Sequence, residues 1–112
     1  MSGSQYLKQL SVLLTKLQET QLNTVQTLGE KVGRSVVNEG IVHLFGSGHS
    51  HMAANEVFVR AGTLTTIRAI WPEQMTDKLE RVEGLGASIL NMGDVHPGEL
   101  LFVISNSGIN PM

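Results

Sequence analysis

Hydrophobic residues recur at helical spacing through the first forty positions of the chain. They form two stripes with steps of three and four residues. The stripes consist of Leu7, Leu10, Leu14 and Leu17, followed by Val25, Leu28, Val32 and Val36. Gln21 stands where the first stripe would continue, so the phase slips around residues 19–23. This slip predicts either a kink or two successive helices.

We expect residues 1–39 to form an N-terminal helical extension to a separate fold. A leucine-rich stripe on a helix is typical of a face that packs in a core or against another helix. On an extension of this kind, the stripe predicts a homodimer or a higher homo-oligomer.

After Gly40 the pattern changes to short apolar runs separated by helical segments. The runs are "IVHLF" (41–45), "LTTIRAI" (64–70) and "LLFVIS" (100–105). The first and third barely alternate, which is typical of strands covered on both faces of a parallel sheet. The second run is preceded by a helical pattern that ends near Gly62, and the third by the segment "GLGASILNM". This order predicts an α/β fold, a three-layer parallel sheet with the flavodoxin-like strand order 2-1-3.

The chain stops at "SNSGINPM", directly after the third predicted strand, where another crossover helix ought to begin. Three parallel strands make a thin sheet with an apolar edge, which invites association. We therefore expect residues 40–112 to be the N-terminal half of a larger domain, completed by further chain or by a partner.

Composition and charge narrow the function classes. The chain has 112 residues, 41% of them hydrophobic, and a formal net charge of -2, which suits one domain with a modest core. This small negative charge argues against electrostatic binding of nucleic acid or anionic membranes. The absence of cysteine excludes disulfides, thiolate metal sites and a cysteine nucleophile. No apolar run is long enough to span a membrane and the first residues lack a signal-peptide pattern, so we expect a cytoplasmic protein.

The glycine-rich stretch "FGSGHSH" (45–51) has three candidate interpretations. A dinucleotide-binding turn needs G-x-G-x-x-G, but His51 stands at the third glycine position and no acidic residue directly follows the second strand. A Walker-type loop is excluded because Gly-Lys-Ser/Thr is absent. We predict no cofactor.

The second interpretation is a metal site built on the H-x-H pair of His49 and His51. Imidazole nitrogens bind zinc, but a further protein ligand is needed. His43, Glu56 and His96 are candidates, and the sequence singles out none of them. His43 lies inside a predicted strand and is expected to be a packed core histidine. We predict no metal.

The third interpretation is a site for a phosphorylated ligand. A strand that ends in a Gly/Ser loop and opens a helix directs N–H groups and a positive dipole end at one point. "FVISNSG" (102–108) repeats the device after the third strand. In strand order 2-1-3 the ends of the first and third strands flank the point where ligands bind. The alternative for each serine alone is helix capping, which Ser50 could provide.

At these residues the chain resembles the sugar isomerase (SIS) domain family. The resemblance runs from about residue 40 to the end, through "FGSGHSHMAANEVFVRAG" and "PGELLFVISNSGIN". It is strongest to a bacterial subgroup described as SIS-domain or phosphosugar-binding proteins, some of them likened to phosphoheptose isomerase. The resemblance implies a phosphosugar-binding protein that acts as a sugar-phosphate isomerase or a related enzyme. The alternative is a non-catalytic sensor or scaffold that binds a sugar phosphate.

The resemblance also implies a set of ligand-binding residues in the two loops. These are Ser47, Ser50, Ser105, Asn106, Ser107 and Asn110. In the family the S-x-S-G loop grips the phosphate, and the residue between the serines contributes mainly its backbone N–H. Asn110 stands near the place where the family often has Thr or Ser.

Aldose–ketose isomerisation needs a base beside two adjacent sugar carbons and often a group that helps to open the ring. Glu56 is the candidate base, because it follows Ser50 on the same helix and could lean back towards the loop, partly buried. His49 or His51 could serve ring opening. Phosphoheptose isomerases carry a histidine and a glutamate where this chain has Glu56 and Arg60, so their catalytic pair is not reproduced. The alternative for Glu56 is a surface ion pair with Arg60.

Overall fold

The structure, a computed structural model, describes residues 2–70 and 82–109 of the chain. The chain divides into two compact units, Met1–Arg34 and Ser35–Met112. The first contains most of one long helix, and the described part of the second contains a sheet and two shorter helices. Among the residues described, no helix has both the length and the apolar character needed to span a membrane.

Both N-terminal stripes lie on one helix, α1 (Gly3–Val37), which runs unbroken for 35 residues. Of the two predicted alternatives, a kink or two successive helices, the second is therefore wrong. An α-helix completes five turns in about 18 residues, and this is the spacing from Leu7 to Val25 and from Leu10 to Leu28. The two stripes consequently share one face of a regular helix. The slip exists only relative to a seven-residue repeat.

The apolar face of α1 is open to solvent from Leu7 to Leu28, and no residue of the helix is fully buried. Its leucines include Leu10, which is 40% exposed, and Leu14, which is 58% exposed. Exposing so long an apolar stripe to water is unfavourable. Its assembly with a second copy stays a prediction.

Within residues 2–70 and 82–109 the sheet has three parallel strands: β1 (Val42–Gly46), β2 (Ile67–Ile70) and β3 (Leu100–Ile104). Their order is β2-β1-β3, with β1 paired to both neighbours. The predicted α/β fold and strand order are confirmed. Gly46, the last residue of β1, pairs with Ile104, the last residue of β3. The chain therefore leaves these two strands side by side, at the same edge of the sheet.

Helix α2 (Ser50–Phe58) connects β1 to β2, and helix α3 (Leu85–Met92) precedes β3. Right-handed crossovers in opposite directions put these helices on opposite faces of the sheet. The core cluster on the α3 face consists of Phe45, Ile70 and Ile89. On α2 the buried residue is Ala54.

Helix α2 ends earlier than the sequence pattern predicts. The last helical residue is Phe58, four positions before Gly62, and Val59 caps the helix by donating to the Asn55 carbonyl. The run of Val57, Phe58 and Val59 has low helix propensity, and all three side chains are exposed. Without packing to support it, the last predicted turn does not form.

The strands differ in how well they are covered. All five residues of β1 are buried, as the unbroken apolar run predicts. Burial in β3 alternates instead, and Leu101 and Val103 are 37% and 63% exposed. The expectation that β3 is covered on both faces is therefore wrong for the part of the chain that the structure describes. The reason is that α3 packs over Phe45 of β1 and Ile70 of β2.

Candidate functional site

The loop after β1 turns so tightly that it requires glycine at two positions. A Cβ at Gly46 would lie 2.7 Å from the carbonyl oxygen of Ser50, far inside van der Waals contact. Gly48 has φ +55°, in the left-handed region that glycine enters at little cost. The turn therefore brings the first residue of α2 directly against the end of β1.

The first amides of α2 are already hydrogen-bonded within this turn. The N–H groups of Ser50, His51 and Met52 donate to the carbonyls three residues earlier, over 3.0, 3.2 and 3.1 Å. The expectation that the start of this helix offers its N–H groups to an anion is therefore not met by these three amides. Ser47 lies half-buried in the turn, where its carbonyl accepts the Ser50 bond.

The loop after β3 is organised by its own serines. Ser105 Oγ accepts the Gly108 N–H over 2.8 Å, and Ser107 Oγ accepts the Ile109 N–H over 3.4 Å. Gly108 has φ +69°, which again suits glycine. All five residues from Ser105 to Ile109 are exposed, so this loop faces solvent.

The two loops meet across the sheet edge. The backbone N–H of Asn106 donates to Ser50 Oγ over 3.0 Å, although the residues are 56 positions apart. The contact follows from the pairing of Gly46 with Ile104, which starts both loops at one level. The sequence pattern predicts that the loops are neighbours, but it assigns both residues to the ligand and misses their bond to each other. Ser50 also does not act as the N-cap, because that position is His49, which makes no side-chain capping bond.

Three serine hydroxyls in this region share one hydrogen-bonding state. The oxygens of Ser50, Ser105 and Ser107 each accept a backbone N–H. A hydroxyl that accepts in this way keeps its own hydrogen for donation and is polarised as a donor. The hydroxyls are therefore set to donate to an incoming acceptor.

The two histidines of the first loop differ in environment. His49 is exposed, whereas His51 is half-buried. Desolvation by this partial burial lowers the pKa of the His51 imidazole below its ordinary value. Its ring is therefore neutral at pH 7 and able to accept a proton.

Glu56 does not have the partly buried position expected of it. Its side chain is 59% exposed and forms an ion pair with Arg60 one helical turn away. This is the alternative arrangement weighed from the sequence. In the described chain its carboxylate is thus held on the surface of α2.

The other candidate ligands lie apart from the H-x-H pair. His43 is fully buried, as expected, and its Nε2 is 2.7 Å from Glu99 Oε2. His96 is exposed and pairs with Asp94 over 3.2 Å. Within residues 2–70 and 82–109, no group of three or more His, Asp or Glu side chains is arranged to hold a metal ion. Asn110, predicted in the ligand site, lies outside the described residues.

Comparison of the sequence with known protein families identifies the family of this chain. The sequence profile of the SIS domain matches residues 5–112, nearly the whole chain. The chain belongs to the SIS domain family. The resemblance inferred from the two serine loops is thereby confirmed, and the match also takes in most of α1.

This SIS domain is similar to proteins named UPF0309. One from Halalkalibacterium halodurans is 38% identical over an alignment of 117 positions, which covers 97% of this chain and 48% of that protein. One from Listeria monocytogenes serotype 4b is 36% identical, over 89% of this chain and 44% of that protein. One from Geobacillus kaustophilus is 32% identical, over 97% of this chain and 47% of that protein. The chain spans just under half the length of these relatives.

Proposed function

We propose that this SIS domain binds the phosphate group of a sugar phosphate between the loops that follow β1 and β3. The observation that carries the proposal is the contact of these loops, in which Asn106 N–H donates to Ser50 Oγ over 3.0 Å. Ligands of open parallel sheets bind beyond the carboxyl ends of the strands, where the strand order reverses. With neighbours β2 and β3 on either side, β1 ends at that point.

The chemistry of the loops suits phosphate oxygens. Residues 46–50 and 105–109 contain four serines and no Lys, Arg, Asp or Glu. Ser105 and Ser107 already accept N–H groups within their own loop, which leaves their hydroxyl hydrogens for an acceptor. A phosphate would thus be held by several neutral donors at an open edge rather than by a cationic side chain. The absence of acidic groups from the loops keeps repulsion low.

Binding is tested by calorimetry and thermal unfolding with pentose, hexose and N-acetylhexosamine phosphates. We expect one class to raise the unfolding temperature and its non-phosphorylated sugar to have no effect. Ser107→Ala should lower the affinity by about 10-fold or more, because a hydrogen bond to a charged group is lost. Ser107 is the informative serine, because its 3.4 Å bond to Ile109 contributes little to the loop.

Ser88→Ala is the matched control, since Ser88 is an exposed serine on α3. It should bind the sugar phosphate as the unchanged protein does. If no sugar phosphate binds, or if both serine variants bind equally well, the proposed site is wrong.

We further propose that the bound sugar phosphate undergoes aldose–ketose isomerisation, with proton transfer between adjacent sugar carbons. His51 is supported as the base by its partial burial and lowered pKa, which keep the imidazole neutral at pH 7. Glu56 could serve only after leaving Arg60. His49, exposed at the rim, remains a candidate for ring opening.

The enzyme and the non-catalytic sensor are separated by deuterium incorporation. The intact protein is incubated with the sugar phosphate that it binds, in D2O, and carbon-bound deuterium is measured by NMR. An isomerase incorporates solvent deuterium, His51→Gln abolishes this, and Glu56→Gln reports whether the carboxylate takes part. Binding without any incorporation would support the sensor.

We also infer that this SIS domain assembles as a homo-oligomer through the apolar face of α1. The support is the exposure of that face from Leu7 to Leu28. A cytoplasmic location stays a prediction from the sequence.

A further inference from the structure

Ser50 connects the loop after β3, residues 105–109, to the body of the fold. Within this loop, the serines bond locally, Ser105 to Gly108 and Ser107 to Ile109. The Asn106–Ser50 bond is the only side-chain hydrogen bond from residues 105–109 to another element of the described chain. Beyond the pairing of Ile104 with Gly46, the Ser50 hydroxyl is therefore the described side-chain contact that fixes the loop relative to α2.

The two ends of this bond differ in how firmly the fold holds them. Ser50 begins α2, and its carbonyl lies so close to Gly46 that a Cβ there would clash at 2.7 Å. Asn106 lies in the fully exposed loop. The bond thus transfers the fixed position of the β1–α2 turn to a loop that has little packing of its own.

We propose that Ser50 is a positioning residue that pins the phosphate-binding loop before the ligand arrives. This inference rests on the proposed function and assigns Ser50 a role through Asn106 rather than through the ligand. Because Ser50 Oγ already accepts the Asn106 N–H, that amide is not offered to the phosphate. Pinning the loop in advance reduces the ordering cost of binding, so affinity should depend on the Ser50 hydroxyl without a direct contact.

The test compares Ser50→Ala with Ser50→Thr, which keeps the hydroxyl, and with Ser88→Ala as the control. Two quantities are measured on the intact protein: the solvent-exchange rate of the Asn106 amide without ligand, by NMR, and the affinity for the sugar phosphate that the unchanged protein binds. We expect Ser50→Ala to speed Asn106 exchange and to weaken binding by about 10-fold. Ser50→Thr should restore both quantities towards the unchanged protein.

The outcomes separate the inference from the proposed function. Weaker binding with unchanged Asn106 exchange would make Ser50 a direct ligand and overturn the positioning role. Faster exchange with unchanged affinity would also overturn it, because the loop would then need no pin. Failure of the unchanged protein to bind any sugar phosphate would instead contradict the proposed function, and the positioning role would be wrong as well.

Discussion

At the scale of single residues, His43 and Glu99 form a polar contact inside an apolar strand layer. The His43 side chain is fully buried, and its Nε2–H donates to Glu99 Oε2 over 2.7 Å. The same carboxylate oxygen accepts the His96 N–H over 2.9 Å. Among the described residues, His43 Nδ1 has no hydrogen-bond partner. The pair thus connects the turn before β3 to the central strand β1. It lies near the amino-terminal ends of these strands, whereas the serine loops follow their carboxyl ends.

The ionisation of Glu99 should make stability depend on acid pH. The His96 N–H and the His43 side chain, in that order of importance, hold the Glu99 pKa below its ordinary value of 4.5. This contribution is fully present above pH 4.5 and is lost as pH falls through the lowered pKa. We expect Glu99→Gln to reduce stability at pH 6 and to flatten the loss between pH 5 and 3, measured by urea unfolding.

Glu83→Gln is the control for this prediction, because Glu83 is an exposed carboxylate. It should leave both the stability at pH 6 and the acid dependence nearly unchanged. The same acid dependence in the Glu99 variant and the unchanged protein would show that the pair contributes nothing on folding.

At the scale of elements, sequence patterns predict best where one local period decides the structure. β1 is recognised because a strand covered on both faces is apolar throughout, and Val42 to Phe45 are all buried. The predicted break in α1 arose from comparison with the wrong period. Residues 18 positions apart keep phase on an α-helix but not in a heptad repeat. Partner choice is beyond local patterns. Nothing in the sequence near Glu99 indicates that its partner is His43. For Glu56 the sequence allowed two positions, partly buried beside the loop or paired with Arg60 on the surface, and only the fold distinguishes them.

The shared face of α1 predicts how the assembly can be disrupted. Leu10→Glu combined with Leu14→Glu places two charges on the apolar face. We expect this variant to have a smaller molar mass than the unchanged protein in light scattering after size exclusion, because buried charge without a partner is costly. Circular dichroism should show that the helix persists.

Val12→Glu is the matched control, because Val12 is 56% exposed and lies about 160° around the helix from both leucines. It should keep the mass of the unchanged protein. Loss of the assembly in the Val12 variant as well, or its retention in the double variant, would rule out this face as the contact.

At the scale of the whole molecule, the described sheet is well covered at β1 and partly open at β3. Helix α3 covers Phe45 and Ile70, while Leu101 and Val103 on the same face of β3 remain exposed. The proposed phosphate site lies at the carboxyl ends of β1 and β3, where β3 has no second neighbour among the described strands. The serine loops therefore depend on the β1 side of the molecule for support, which is where Ser50 lies.

The uneven cover of the sheet can be measured with the same substitution at two positions. Val42 on β1 is 1% exposed and Val103 on β3 is 63% exposed. Val→Thr keeps shape and β-branching but replaces a methyl group with a hydroxyl, so its cost reports desolvation. For this 112-residue chain, we expect Val42→Thr to lower the free energy of unfolding by about 1–3 kcal/mol and Val103→Thr by less than about 0.5 kcal/mol. Equal losses in urea unfolding would mean that another chain covers β3 in solution, because only a desolvated position makes the hydroxyl costly.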